Sequence, residues 1–467
     1  MTTKINNLIK KFVCFVFLTN TGMLQAQQNE NPEGSVTPGA ANYQNVNVDL
    51  FRGRHNISIP IYNYKSKSLS VPISLDYTPV DILSQGNSYN PGIVGAGWNL
   101  TAGGVITRSL YGVADETAGI GNFNNNNNSF DPEITPSDAA KYECEEDEFT
   151  FNFCGYSGTF FYYRGIWKIF SNADFEIRTT YADVNGVTVL SGFLIDAPDG
   201  VTYTFGGSNG VEYSTCIKNL ATSKIPTSWF LTRIESSEMD AIDFNYDNLV
   251  PSYNIPITKQ CKISSTMTFY DDMYPSGFTP ISTSPTDVQI ANFSAFYTIE
   301  PVYLSSISGS TFSMSFNKSL SNGKNYYGSK TNNNPYKLDN IELSCGYLFK
   351  RFNLTYIENS DEILKLQSIK ESAISLQGSI ASLPAYQFGY LSKTDVVAPE
   401  VLSKITYPTG GYSSFLFEKN DYSMYYLVHA TVLGFDGKIT TQPSNASQNM
   451  IDGFRIKKKV SKSSDTD

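Results

Sequence analysis

Apolar residues at every second position, on both sides of short polar turns, constrain this chain more than any other feature of its sequence. Residues 57–61 and 69–77 alternate apolar side chains with polar residues or proline, and residues 65–67 make a polar turn between them. A period-two pattern puts one side of a strand against a core and the other in water. The sequence therefore predicts a half-buried β-hairpin. Because Pro60 and Pro72 cannot donate to a strand ladder, we expect edge or irregular pairing at both.

Similar alternation returns farther along the chain. Phenylalanine occupies alternate positions in residues 149–153, and Gly155 to Gly158 separate this run from residues 160–163. Pro198-Asp199-Gly200 lies between two more alternating runs, and this tripeptide is typical of a tight turn. These patterns predict further hairpins and an all-β fold of hairpin-rich antiparallel sheets, winding or sandwich-like, with long polar loops.

The second half of the chain contains an irregular repeat. A Leu-x-x-Ile pair occurs five times, each time followed by an alternating and mostly aromatic run. The pair could begin an amphipathic helix, but no unit continues its apolar positions over further helical turns, so we expect strands. Since the spacings, roughly 30 to 70 residues, vary too much for propeller blades or a tight solenoid, we expect an irregular array of hairpins. The pairs are Leu231/Ile234, Leu304/Ile307, Leu338/Ile341, Leu366/Ile369 and Leu402/Ile405.

The amino terminus has the pattern of a secretory signal peptide. Lys10 and Lys11 precede a short apolar run at residues 12–18, and Ala26 precedes Gln27. A basic segment, a short apolar segment and a small residue before the cut are the signature of export, and the run is too short to span a membrane. We expect an exported protein, secreted or on the cell surface, with no membrane span after removal of the signal.

These features divide the chain into four predicted segments. They are a signal peptide at 1–26, a flexible polar lead at 27–44, an amino-terminal β module at 45–225 and an irregular β-hairpin repeat region at 226–467.

Composition narrows the function. Aromatic residues make up 14% of the 467 residues and charged residues only 17%, a mixture that favours strands and turns. The formal net charge of −10 argues against a nucleic-acid partner, which calls for a basic surface. No C-x-x-C motif occurs, which argues against a structural zinc site. A disulfide between Cys144 and Cys154 and buried free thiols both remain open.

A glycine-rich element at residues 95–108 is the most distinctive local stretch. Its glycines allow backbone turns that other residues avoid, and Trp98 supplies one large anchor for burial. A phosphate-binding loop is the alternative, but Leu100 stands where a third glycine is needed and no helical pattern follows. We therefore interpret the element as structural.

This element, with several others in the same order along the chain, resembles the amino-terminal region of secreted Rhs/YD-repeat proteins of Gram-negative bacteria. In that family, successive YD hairpins spiral into a hollow β-shell, often with a toxin at the carboxyl end. The resemblance implies a shell-like structural role and a carboxyl-terminal YD-repeat shell or toxin domain as partner. No regular Gly-Arg-centred YD repeat, core signature or toxin domain occurs in these residues. The matching stretches are 60–64, 69–75, 94–108, 151–158, 198–206, 228–234 and 405–412.

Groups for catalysis are scarce. The two histidines, His55 and His429, are interpreted as surface or packing residues, and no Gly-x-Ser-x-Gly elbow or pair of metal-binding histidines on a helix occurs. Acidic residues cluster at 143–148 and at 271–272, and such runs are usually solvated. The Asp183-Val-Asn-Gly186 stretch is too short for a calcium loop and predicts a tight turn. We predict no catalytic, cofactor-binding or metal-binding residues and no cofactor.

Three functions remain as hypotheses. The first is a secreted, non-enzymatic structural or interaction protein, the amino-terminal part of an Rhs/YD-repeat-like shell or surface protein. The second is an adhesin for surface glycans, in which Trp167 and the Tyr162-Tyr163 pair would stack on sugar rings. The third is a secreted glycosidase that uses a pair of carboxylates.

Overall fold

The computed structural model describes most of the chain between residues 46 and 463. For 46–49, 216–218, 221–223, 253–263, 289–298, 362, 419–422 and 449–454 it describes the backbone alone. The predicted signal peptide, the lead, His429, the 271–272 acidic pair, Cys144 and the first residues of the 143–148 cluster lie outside the described residues. The described ranges are 46–49, 54–79, 92–111, 114–116, 146–163, 165–171, 173–218, 221–248, 253–263, 289–322, 336–359, 362–391, 401–422 and 449–463.

The secondary structure of the described ranges consists of β-strands alone, and every strand pairing is antiparallel, which confirms the all-β prediction. No helix in this part of the chain is long and apolar enough to cross a membrane. The first thirteen strands are β1 (Val46–Asp49), β2 (Arg54–Lys65), β3 (Ser70–Tyr77), β4 (Trp98–Ala102), β5 (Gly104–Ser109), β6 (Glu148–Phe153), β7 (Tyr156–Tyr163), β8 (Ile166–Ser171), β9 (Glu176–Val184), β10 (Val187–Asp196), β11 (Val201–Gly206), β12 (Val211–Lys218) and β13 (Ala221–Ser236).

The second half supplies thirteen more. They are β14 (Ala241–Asp247), β15 (Tyr253–Ile263), β16 (Gln289–Glu300), β17 (Tyr303–Ser308), β18 (Ser313–Leu320), β19 (Tyr336–Ser344), β20 (Leu348–Asn359), β21 (Glu362–Ile374), β22 (Ile380–Ser382), β23 (Tyr386–Tyr390), β24 (Leu402–Thr406), β25 (Tyr412–Tyr422) and β26 (Asn449–Lys462).

Strands β1 to β4 form a separate four-stranded sheet in chain order. The predicted hairpin is β2–β3, and its alternate apolar side chains are buried on one face. Pro60 lies at an irregular position and Pro72, which pairs with Asn63, lies beyond the end of the β3–β4 pairing, in keeping with the prediction. The β2–β3 register shifts between Pro60 and Tyr62, and the pairing of β4 with β3 ends at Ile73, one residue short of Pro72. Neither proline therefore interrupts a regular ladder.

Strands β5–β8 pack against β9–β11 in a two-layer arrangement, which we call the phenylalanine sandwich. Phe149 and Phe160 of one layer contact Phe193 of the other at ring-centroid distances of 5.5 Å. The long strand β13 belongs to both layers, since it pairs with β5 near Trp229 and with β11 farther on. The predicted domain boundary at 225/226 falls inside this strand, and the four-segment division stays a prediction.

The remaining strands build a winding antiparallel succession, which we call the hairpin run. It proceeds through β14, β17, β18, β19, β20, β21, β23, β24, β25 and β26, while β15 and β16 branch off through β12. One hydrophobic core extends from the four-stranded sheet through the sandwich to this run.

The Leu-x-x-Ile pairs lie in strands, yet both members of every pair are buried, at no more than 7% exposure. In a regular strand, residues three apart point to opposite faces. A β-bulge resolves this conflict at each pair, because the residue after the leucine is skipped in the register. The skipped residues are Thr232, Ser305, Asp339, Gln367 and Ser403.

Two local predictions have clear outcomes. The stretch ending at Gly186 forms the tight β9–β10 turn, with positive φ at Asn185 and Gly186 and a 2.9 Å hydrogen bond from the Gly186 amide to the Asp183 carboxylate. Of the two alternatives left open for Cys154, the structure has the free thiol, beside a turn, and not the disulfide with Cys144. Burial, with a smaller contribution from Asp199, raises the pKa of the Cys154 thiol to about 12. Cys345, by contrast, is disulfide-bonded.

Candidate functional site at the junction of the four-stranded sheet and the hairpin run

The glycine-rich element is the point where the four-stranded sheet meets the hairpin run. The Ala96 amide donates to the Leu364 carbonyl at 2.8 Å, and the Leu338 amide donates to the Ile93 carbonyl at 2.8 Å. Gly95 has a φ of +97°, and a Cβ there would lie 3.0 Å from the Leu364 carbonyl oxygen. Only glycine permits both this backbone conformation and this approach.

Gly97 and Trp98 complete the attachment. A Cβ on Gly97 would lie 2.6 Å from the Tyr77 ring, so the glycine makes room for the tyrosine. The Trp98 ring packs 4.7 Å from the Phe388 ring, and its indole N–H donates to the Tyr390 hydroxyl at 3.0 Å. Trp98 is therefore the buried anchor that the sequence predicts, with its polar atom satisfied.

The carbonyls at the bulges bind side chains from the returning strands. At each Leu-x-x-Ile pair after the first, the residue that stands opposite the leucine in the register donates from its side chain to the carbonyl of the leucine of the preceding pair. Four such bonds form among the described residues. Burial raises the pKa of the Tyr246 and Tyr356 hydroxyls, so these groups stay protonated donors. The bonds join Tyr246 to Leu231 (2.7 Å), Lys318 to Leu304 (2.8 Å), Tyr356 to Leu338 (2.6 Å) and Tyr390 to Leu366 (2.7 Å).

The series of side-chain-to-carbonyl bonds does not continue at the last described unit. Phe417 stands opposite Ile456 beside a further register shift, the position that Tyr390 holds opposite Leu402. Phenylalanine has no hydroxyl to offer the Leu402 carbonyl. The four-stranded sheet contacts the same leucine through its other backbone group, because the Leu402 amide donates to the Tyr77 hydroxyl at 2.9 Å.

A carboxylate fixes the far end of the four-stranded sheet. Asp240, buried between β13 and β14, accepts hydrogen bonds from the Ser66 hydroxyl (2.5 Å), the Ser68 amide (2.8 Å) and the Leu69 amide (3.3 Å). These groups belong to the β2–β3 turn. Burial raises the pKa of Asp240, but the hydrogen bonds outweigh it and the net pKa is lowered. Nearby, the Tyr64 hydroxyl donates to the Phe312 carbonyl at 2.5 Å.

An ion network is buried where β5 leaves the glycine-rich element. The Arg108 guanidinium forms a two-pronged contact with Glu116 (2.9 and 2.6 Å) and donates through Nε to Asp147 at 2.8 Å. Arg108 and Asp147 side chains are fully buried, and Glu116 is nearly so. Asp147 also accepts from the Tyr111 amide at 2.8 Å, and Glu116 from the Leu190 amide at 3.3 Å. Burial opposes the charge on Arg108, but the two carboxylates raise its pKa overall.

The sequence pattern predicts none of these ion pairs. It places Asp147 in a run of acidic residues that is usually solvated, which is wrong for this member, since its carboxylate binds Arg108 in the interior. Nothing in the local sequence marks Glu116. Arg108 could have been suspected from its place in an apolar-facing position of β5, two residues after the buried Ile106.

His55 is buried, and its ring stacks on Phe415 at 4.2 Å and lies 5.4 Å from Tyr77. It therefore joins β2 to the hairpin run as a packing residue. Neither ring nitrogen has a hydrogen-bond partner in the described structure. Burial lowers the pKa of His55 to about 3, so the ring is neutral. Within the described ranges, His, Cys, Asp and Glu side chains form no group of three suited to a metal ion.

The predicted glycan-stacking residues do not share one surface. Trp167 faces the sandwich interior, 5.3 Å from Phe160 and 6.0 Å from Phe193, and Tyr162 packs against it at 5.0 Å. Tyr163, the next residue along β7, contacts Phe161 instead, at 6.4 Å.

Comparisons with known proteins give only distant similarity. No protein-family model and no curated protein matches the chain. A crystal structure of TcdB2-TccC3-Cdc42 is similar at 12% identity and a TM-score of 0.40, over 79% of this chain and 18% of that chain. The Photorhabdus luminescens Tc holotoxin pore, with mutated TccC3, is similar at 14% identity and 0.38, over 79% and 18%.

A smaller solved protein is also similar. The N-terminal domain of the effector SpvB from Salmonella typhimurium has 11% identity and a TM-score of 0.34, over 68% of this chain and 99% of that one. The chain thus spans less than a fifth of the toxin-complex chains that it matches. Similarity at this level does not assign the chain to a family.

Proposed function

We propose that this chain is an exported, non-enzymatic structural module, the beginning of a β-shell of the Rhs/YD-repeat type. The observation that carries the proposal is the repeated unit of the hairpin run: a bulge, a buried Leu-x-x-Ile pair and a side chain that binds the preceding bulge carbonyl. A unit that recurs with its register fixed builds a curved wall by addition of similar hairpins.

The four-stranded sheet acts as a brace in this proposal. Its glycine-rich loop attaches to β19 and β21 through backbone hydrogen bonds, and its β2–β3 turn attaches to Asp240. The attachment points lie far apart along the hairpin run, so the brace holds the curvature of several units at once. The partner is a carboxyl-terminal YD-repeat shell or toxin domain, as the sequence resemblance implies.

Cryo-electron microscopy of the protein purified from the culture of its own bacterium tests this role. We expect a curved β-wall in which further hairpins pair with β26 and continue the bulge spacing. A particle whose wall ends at β26, without any associated shell or toxin chain, would contradict the shell role.

Mass spectrometry of the same material tests export, with a mature amino terminus at or near Gln27 as the expected result. An unprocessed chain retained in the cytoplasm would contradict it.

Assays against a panel of bacterial and host polysaccharides test the absence of enzymatic activity. Hydrolysis that disappears on replacement of a carboxylate pair would overturn that part of the proposal and favour the glycosidase hypothesis.

A further inference from the structure

The outer face of the β6–β8 hairpins carries aromatic side chains on the surface. In this part of the sandwich, Phe149, Phe160 and Ile169 face the core, while Phe161 and Phe170 lie on the opposite face. Phe170 is 62% exposed. Its ring stacks with that of Phe161 at a centroid distance of 5.8 Å and an interplanar angle of 24°. Phe161 is half-buried, and Tyr111 nearby is exposed. An apolar patch of this kind on a surface often marks an interaction site.

Two carboxylates border the same rings. A depression of about 290 Å³ is lined by Tyr111, Glu146, Glu148, Thr159, Phe161 and Phe170. Glu148 lies directly opposite Phe161 in the β6–β7 register. Within the described residues neither Glu146 nor Glu148 forms an ion pair, whereas Asp147 between them is turned inward to Arg108. Two half-buried carboxylates, neither in an ion pair with another described residue, therefore lie beside aromatic rings.

We infer that this depression binds a guanidinium group, presented by an arginine in an extended basic segment of a partner protein. A guanidinium stacks on aromatic rings and bonds to a carboxylate through two parallel N–H groups. The depression offers both partners side by side: the rings of Phe161, Phe170 and Tyr111, and the carboxylates of Glu146 and Glu148. An ammonium group would gain the charge attraction but not the planar stacking.

Charge complementarity decides the class of occupant. An anionic or purely apolar ligand would leave the two carboxylates without compensation in a partly covered site. The formal net charge of −10 also attracts a basic partner over longer distances. The nearest described cation in the strand register is Lys168, which lies opposite Phe161 on the side away from Glu148.

Fluorescence anisotropy of the full chain with a labelled tetra-arginine peptide tests the inference. We expect saturable binding at about 150 mM salt, weaker binding of tetra-lysine, and about a fivefold loss of affinity in Phe170→Ala and in Glu148→Gln. Phe170 is exposed and Glu148 is half-buried at the rim of the depression, and unchanged thermal unfolding would confirm that both variants fold.

Two matched variants serve as controls. Ile166→Ala removes another exposed apolar side chain from β8, and Glu176→Gln removes an exposed carboxylate from β9. Both should bind tetra-arginine like the native chain. Equal losses in Glu176→Gln and Glu148→Gln would show attraction to net charge alone and overturn the site. Absence of saturable binding, or Phe170-dependent binding of an oligosaccharide instead of the peptide, would overturn it as well.

Discussion

The phenylalanine sandwich and the hairpin run bury their aromatic residues in different ways. In the sandwich, Phe149, Phe160 and Phe193 contact one another through their rings, at centroid distances of 5.2 to 5.5 Å. In the hairpin run, the hydroxyls of Tyr356 and Tyr390 bind carbonyls at bulges. Ring packing fills volume without fixing a register, whereas a hydroxyl–carbonyl bond is directional. The sandwich is therefore specified by shape and the run by register.

The largest expected loss of stability in the sandwich comes from removing the buried cation Arg108. Arg108→Met leaves Asp147 and Glu116 buried without their counter-ion, and we expect the free energy of unfolding to fall by about 3–5 kcal/mol. Arg233→Met is the matched control, because its ion pairs with Glu235 and Asp243 are largely exposed and should contribute about 1 kcal/mol or less. Denaturant unfolding, with hydrogen–deuterium exchange to locate the change, measures both. Similar losses in the two variants would contradict the buried network.

The junction between the four-stranded sheet and the hairpin run is tested at Gly95. In Gly95→Ala the added methyl meets the Leu364 carbonyl and the Leu366 amide while φ stays positive, so we expect a loss of about 2–4 kcal/mol. Gly186→Ala shares the positive φ but meets nothing within 4 Å, and it should cost about 1 kcal/mol. Thermal unfolding compares the two. If the two variants were equally stable, the close approach at Gly95 would carry no energetic weight.

The hairpin run is tested by removing one hydroxyl. Tyr356→Phe keeps the buried ring but leaves the Leu338 carbonyl without its 2.6 Å donor, and we expect a loss of about 1–2 kcal/mol with faster exchange in β19 and β20. Tyr181→Phe, at a half-exposed position in the sandwich, should have almost no effect. Exchange that increases uniformly over the molecule would argue against a local role in register.

The pH dependence of stability tests the packing of His55, which joins the four-stranded sheet to the hairpin run. Its folded pKa of about 3 lies below the ordinary value of 6.5, so the unfolded chain binds the proton first as pH falls. The stability is complete above pH 6.5 and declines from there toward pH 3. Between pH 7.5 and 5.5 we expect the native chain to lose about 1.4 kcal/mol more than His55→Phe, measured by denaturant unfolding at each pH. Parallel pH profiles would contradict a neutral buried ring.

Much of the fold could be predicted because strand alternation is local. A few adjacent residues are enough to predict the β2–β3 hairpin, the alternating phenylalanines of the phenylalanine sandwich and the turn at Gly186. The bulges could not be predicted, since Leu-x-x-Ile has helical spacing and only the paired strand shows which residue is skipped. The sequence placed Trp98 in the core but could not identify Tyr390 as its partner, 292 residues away.

The same limit applies to the candidate site. Asp240 has no local signal of its bonds to the β2–β3 turn, because these cross more than 170 residues of chain. Arg108 and Asp147 are separated by 39 residues and meet only after β5 pairs with β6. Ion pairs of this kind depend on which strands become neighbours, and the sequence pattern of one strand does not contain that information.

The bulges also affect how well the chain tolerates insertions and deletions in its loops. Each bulge bends its own strand, so the direction of the hairpin run is set within the strands and not by the connections between them. Loops at the ends of the hairpins can then grow or shrink with little cost in closure entropy and without moving the next unit. This explains how Leu-x-x-Ile pairs separated by very different lengths of chain still occupy equivalent places, and it makes those connections suitable positions for inserted peptides or tags.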